Sequence, residues 1–122
     1  MLYTLGYAGI KPPFVLKACT KLDAQLWDVR SSPRSRVPGF NKGSLVTLLG
    51  PRYSWHPELG GRERDWTEGL VRLRRALETK NIILMCMEKD PERCHRKSLA
   101  QHSGAQWWHI LPGTKVWQKI EG

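Results

Sequence analysis

Short apolar runs alternate along the chain with stretches whose apolar residues recur every three or four positions, the two periodicities that separate strand from helix. Leu2 to Leu5 reads as a first strand running into Gly6-Tyr-Ala-Gly9. Lys11-Pro-Pro13 opens a helix, because proline is tolerated in a first turn, and Phe14, Val15, Ala18, Cys19 and Leu22 form its apolar stripe. Ala24 to Val29 is a second strand, followed by a loop rich in arginine and proline from Arg30 to Gly39. Asn41 is placed to cap a second helix through Leu45, Val46, Leu48 and Leu49, which Gly50-Pro51 ends. Arg52 to His56 is a third strand. Asp65 and Glu68, in capping-box spacing, start a third helix with Trp66, Leu70, Leu73 and Leu77 on its buried side and Arg72, Arg74 and Arg75 toward water.

Asn81 to Met87 is apolar without alternation, as expected of a strand covered on both faces at the centre of a parallel sheet. Asp90-Pro91 suits the cap and first turn of a fourth helix, Pro91 to Ser103, closed by Gly104; Gln106 to Leu111 is a fifth strand. Four βα units with short connections predict an α/β fold, a three-layer sandwich around a mostly parallel sheet of about five strands. At 122 residues the whole chain, 1–122, suits one domain.

In that arrangement the reactive side chains fall after strands 2, 3 and 4, on the carboxyl-end edge where open α/β sheets bind ligands. Asp28, Arg30, Arg34 and Arg36 follow strand 2, His56 and Glu58 follow strand 3, and Cys86, Glu88, Cys94, His95 and Arg96 follow strand 4. Arginine forks match phosphate or carboxylate oxygens at two points, so Arg30, Arg34 and Arg36 suit anion capture, with Asp28 orienting Arg30 or exchanging a proton. The competing account is a solvated loop with one internal ion pair.

His56 is a candidate general base near neutral pH, and Glu88 a second proton carrier. Cys94, early in the fourth helix and beside Arg93, His95 and Arg96, has the surroundings that favour a thiolate nucleophile or redox thiol; packing on the sheet is the alternative. Cys86 is a core residue or the partner of Cys94 in a reversible disulfide. A zinc site on Cys86, Cys94 and His95 or His56 is disfavoured, because Cys-x7-Cys-His lacks paired Cys-x2-Cys knuckles. Cys19 on the first helix is expected to be a buried small hydrophobe. The sequence does not identify a cofactor.

Composition narrows the partners. Twenty Lys plus Arg against eleven Asp plus Glu give a formal charge of +9, which favours an anionic ligand: a nucleotide, DNA or RNA. Six tryptophans are numerous enough to raise base stacking by Trp107, Trp108 or Trp117, although neighbours in a strand point to opposite faces. Three cysteines do not suggest a closed disulfide framework. The opening Met-Leu-Tyr-Thr-Leu lacks a basic start and a sustained apolar stretch, and no segment approaches bilayer length. The expected setting is a reducing cytoplasm, without membrane contact.

With these residues assembled, the chain resembles the family called domain of unknown function 488. The likeness runs from Tyr3 to about Leu111. It is carried by Thr4-Leu-Gly-Tyr7, Asp28-Val-Arg30 with Pro33-Arg-Ser-Arg36, Pro38-Gly-Phe-Asn-Lys42, His56-Pro-Glu-Leu-Gly-Gly61, Leu84-Met-Cys-Met-Glu88, Asp90-Pro91 and Cys94-His-Arg96. The resemblance implies a compact α/β domain with a polar site built from Asp28, Arg30, Arg36, His56, Cys86, Glu88, Cys94, His95 and Arg96, and supplies no reaction. Ala8 stands where members often carry serine, and the segment after Gly61 is short, which argues against a lid there.

Overall fold

The structure, a computed structural model, describes residues 1–60, 65–87, 95–110 and 118–119. Five parallel strands form its sheet: β1 (Leu2–Gly6), β2 (Ala24–Asp28), β3 (Tyr53–Trp55), β4 (Asn81–Cys86) and β5 (Trp107–His109). A two-residue strand, β6 (Gln118–Lys119), adds antiparallel to β5, in the tail for which the sequence predicts no element. The helices are α1 (Pro12–Leu22), α2 (Lys42–Leu49), α3 (Thr67–Leu77) and α4 (His95–Ser103).

The strand order is β3-β2-β4-β1-β5-β6, so β4 is inserted between β1 and β2. Handedness explains the layers. From β1 to β2 to β3 the chain steps outward in one direction, and right-handed crossovers put α1 and α2 on one face. From β3 it reverses, to β4 and then β5, so the same handedness sends α3 and α4 to the other face. The result is the expected three-layer sandwich.

Each face carries its own core, and alternate strand residues serve the two. Leu5, Leu26, Ile83 and Met85 pack under α1 and α2 with Val15, Leu45 and Phe40. Leu2, Trp27, Ile82 and Leu84 pack under α3 and α4 with Leu70, Leu73 and Leu99. β4 is buried on both faces through five of its six residues, as its unbroken apolar run requires. Trp107 and Trp108 divide between the two cores: Trp107 is buried under α3 and α4, whereas Trp108 packs, partly exposed, against the other core. Trp117 lies outside the described residues.

Local chemistry corrects some boundaries. Asn41 does stand at the cap of α2, but its side-chain oxygen accepts the Ser35 amide at 2.8 Å instead of capping the helix. The Asp65–Glu68 capping box does not form, because the helix starts one residue later, at a Trp66 cap; Asp65 instead accepts the Thr67 amide at 3.0 Å. Arg74, exposed as expected, also reaches the end of α4, where it donates to the carbonyls of His102 and Ser103. The Asp90-Pro91 start of α4 lies outside the described residues. Among the described residues no helix is long and apolar enough to cross a membrane.

Candidate functional site at the carboxyl ends of the strands

Asp28 is the last residue of β2, with its side chain on the α1–α2 face and no exposed surface. Its carboxylate accepts four bonds: from the Arg30 amide at 3.2 Å, Arg30 Nε at 2.7 Å, Arg30 Nη2 at 2.6 Å and the Tyr53 hydroxyl at 2.6 Å. Arg30 is itself only 7% exposed, and its Nη1 donates to the Phe40 carbonyl at 2.7 Å and toward the Tyr7 hydroxyl at 3.4 Å. Burial works against the Arg30 charge, yet the Asp28 carboxylate outweighs it and holds the guanidinium firmly protonated. Burial and the same carboxylate push the Tyr53 phenol up.

The competing account holds for its internal ion pair, formed by Asp28 and Arg30, and is corrected for its solvation. The pair is buried, and it ties β2, β3 and the start of α2 together. Arg30 is consequently engaged with protein on most of its fork, unlike the ligand-holding role expected for it. Arg34 and Arg36, farther along the loop, are exposed and form no ion pair among the described residues. The loop returns through Ser35, which accepts from the Tyr7 hydroxyl at 2.9 Å, and through Phe40, which stacks on the Tyr7 ring with centroids 4.3 Å apart. Near the start of α2, Lys42 lies 5.0 Å over the Trp55 ring.

His56 sits across the sheet, on the α3–α4 face, stacked on Trp27 with ring centroids 3.8 Å apart. Its backbone amide donates to the Asp28 carbonyl at 2.8 Å, which holds it against the end of β2. Its Nδ1 meets Glu58 Oε1 at 3.1 Å and its Nε2 meets the Ser54 hydroxyl at 2.7 Å. Burial depresses the imidazole below its ordinary value, although Glu58 pulls the other way, so the ring is neutral at neutral pH. Burial of Glu58 is outweighed by its backbone amide, His56 and Arg72, and its carboxyl stays ionised. The turn of Pro57–Leu59 is pressed against the Arg30 loop, since a Cβ on Gly60 would lie 2.7 Å from the Ser31 backbone.

His95 opens α4 and places Nε2 2.7 Å from the Val29 carbonyl, which can only accept, so that nitrogen carries the proton. Arg96 is fully buried beneath the same helix. Its Nη1 donates to Cys86 Sγ at 3.1 Å and its Nη2 to His109 Nε2 at 3.4 Å, while His109 Nδ1 lies 2.7 Å from the Thr4 hydroxyl. An arginine only donates, so His109 Nε2 accepts and its proton rests on Nδ1. Arg96 is therefore set into the core beside β1, β4 and β5.

Cys86, at the end of β4, is 4% exposed and disulfide-bonded. In this form it offers no thiolate, and it combines the two readings given for this residue, a core position and a disulfide partner. Cys19 is buried and free, and burial pushes its thiol up to about 11, as suits a small core residue. Glu88 and Cys94 lie outside the described residues. Among the described residues no group of three or more His, Cys, Asp or Glu side chains is arranged to hold a metal ion.

The described candidates thus share one edge but not one face. Asp28, Arg30 and the Arg34–Arg36 loop lie toward α1 and α2, whereas His56, His95, Cys86 and Arg96 lie toward α3 and α4. The end of β2 joins them, through the Asp28 carbonyl to His56 and the Val29 carbonyl to His95. A cavity of about 480 Å³ opens between Pro12, Gly39 and the first turns of α2, on this edge. A larger one of about 640 Å³ lies at the opposite, amino-end edge, among Met1, Asp23, Arg52 and Asn81. Ser54, Tyr53 and Tyr7 carry no signal of a site in their spacing, because only the fold brings them to His56, Asp28 and Arg30 respectively.

No curated protein and no solved structure is detectably similar to the chain. A family model does match, over residues 23–68 and 62–103, and takes in the ends of β2, β3 and β4 just described. The chain belongs to the family described as Domain of unknown function DUF488.

Proposed function

We propose that the protein is an enzyme acting on a nucleotide or nucleic acid at the carboxyl-end edge of its sheet. The observation that carries this reading is the placement around the end of β2, on the two faces of one sheet edge, of a neutral, partly exposed imidazole (His56), a second histidine (His95) and an arginine loop held by a buried ion pair. Arg34 and Arg36, exposed and without ion pairs among the described residues, hold phosphate. Arg30 positions their loop through Asp28 and Phe40. His56 accepts a proton, for which a depressed imidazole is already unprotonated at neutral pH. Cys94 and Glu88 remain sequence-based candidates for nucleophile and second proton carrier. The formal charge of +9 draws a polyanion toward the edge.

The test combines binding and turnover on labelled single-stranded DNA, RNA and free nucleotides. Affinity for the oligonucleotides is expected to fall steeply with salt, and replacing both Arg34 and Arg36 by alanine should lower the slope of log affinity against log salt by about two. His56→Gln should retain binding and lose turnover by about 10²–10⁴-fold. Binding without turnover by the wild-type protein would favour a noncatalytic nucleic-acid-binding module, and an unchanged salt slope in the double variant would remove the arginine loop from the site.

A second reading, a thiol redox centre, is favoured by the disulfide at Cys86 beside Arg96. Thiol titration before and after reduction separates the two: a redox centre gains thiols reversibly, whereas an unchanged thiol count rules it out.

A further inference from the structure

Ser54 lies on the edge strand β3, His56 directly follows the strand and Glu58 lies in the Pro57–Leu59 turn after it, and their side chains form a continuous chain of hydrogen bonds. We infer that Ser54 is a nucleophile for phosphoesters, activated by His56 and oriented through Glu58. The inference shares His56 with the proposed function and otherwise stands apart from it, since it needs neither the arginine loop nor a nucleotide.

Proton positions follow from the partners. Glu58 is ionised and its Oε1 can only accept, so His56 Nδ1, 3.1 Å away, carries the ring proton. The neutral imidazole then has its lone pair on Nε2, and the Ser54 hydroxyl, 2.7 Å from it, must donate. This is the protonation state in which a base withdraws a hydroxyl proton. Stacking on Trp27 fixes the ring plane, and the His56 amide bond to the Asp28 carbonyl fixes its backbone. Glu58 is in turn held by Arg72 of α3, Nη2 to Oε1 3.2 Å, a half-exposed cation on the same side of the sheet.

Ser54 is itself partly exposed, and among the described residues β3 is the outermost strand, paired with β2 alone. A hydroxyl polarised in this way on an open strand edge is accessible to an ester from solution. The phosphoester class follows from Arg72 beside the relay and from the net charge of +9, both of which favour an anionic substrate over a neutral acyl ester.

The chemical step balances within this set plus water. Ser54 Oγ forms a bond to phosphorus as the bond from phosphorus to the leaving oxygen breaks. The hydroxyl proton passes to His56 Nε2 and from there to the leaving oxygen. Water then attacks the phosphoserine, losing its proton to Nε2, and Ser54 Oγ departs and takes that proton back. Glu58 stabilises the transient imidazolium throughout and does not itself become protonated.

The probe is an alkyl fluorophosphonate, whose tetrahedral phosphorus is attacked by the serine oxygen as fluoride leaves. The intact wild-type chain is expected to gain one adduct, which peptide mass spectrometry places on Ser54. Ser54→Ala should gain none there, and His56→Gln should be labelled more slowly by about 10²-fold or more. Glu58→Gln should be labelled at an intermediate rate. Labelling should also weaken in acid with a midpoint below 6.5, the ordinary imidazole value, given Glu58 from the turn after β3, Arg72 from α3 and Asp28 from β2 around the ring. Each variant is checked for folding by circular dichroism, and Ser54→Thr, which keeps the hydroxyl, is expected to restore part of the labelling. An unlabelled Ser54 in the wild type, or a rate unchanged in His56→Gln, would overturn the inference. Either result leaves oligonucleotide binding through Arg34 and Arg36 standing.

Discussion

Asp28→Ala is expected to destabilise the protein by about 3–5 kcal/mol, the range for removing one partner of a buried ion pair. The carboxylate is fully buried and accepts from Arg30 three times and from Tyr53 once. Its loss strands the Arg30 guanidinium, 7% exposed, with neutral acceptors at Phe40 and Tyr7 as its remaining side-chain partners among the described residues. Against a total stability of about 5–15 kcal/mol, such a loss is large enough to unfold a marginal domain. Urea denaturation measures it directly. The double variant Asp28→Ala with Arg30→Leu should recover part of the loss, because a buried pair replaced as a whole by apolar groups costs far less than a broken one. A loss below about 1 kcal/mol for Asp28→Ala would mark the pair as an exposed, weakly coupled one.

Phe40→Ala is expected to cost about 3–5 kcal/mol as well, for a different reason. Phe40 is fully buried and stacks on Tyr7, an aromatic contact that adds to the area it buries. It also closes the arginine loop, since its carbonyl receives Arg30 Nη1 and its amide donates to Val37. Truncation should therefore weaken oligonucleotide binding together with stability, through the placing of Arg34 and Arg36. Phe40→Leu, closer in volume, should cost less on both counts. The denaturation midpoint and the oligonucleotide affinity of the two variants check this. A Phe40→Ala cost within about 0.5 kcal/mol, typical of surface changes, would contradict the packing described.

Much of the architecture was legible in the chain because period and burial coincide. β4 read as a central strand because Ile82 through Met85 leave no polar face, and β4 is in fact inserted between β1 and β2. Its place in the order was not legible, since adjacency in the sheet depends on contacts between residues far apart in sequence. Capping failed at Asn41 and Asp65 because each side chain found a nearby loop or first-turn amide instead.

The edge that carries Asp28, Arg30, His56 and His95 followed from strand direction alone. The face each side chain takes did not, because alternation places Asp28 under α1 while His56 turns toward α3. Arg30 looked like a ligand-binding arginine because its type and loop position suit anions. Only the fold shows its fork engaged by Asp28, Phe40 and Tyr7. Ser54 gave no signal in the sequence, being an ordinary strand serine until its hydroxyl is seen on the His56 ring.

The central claim is one of location, and amide chemical-shift mapping during titration with an unlabelled single-stranded oligonucleotide tests it most directly. The predicted shifts cluster on the carboxyl-end edge, from Arg30 to Lys42, from Ser54 to Gly60 and at His95. Shifts centred instead on Met1, Asp23, Arg52 and Asn81, around the cavity at the opposite edge, would contradict it.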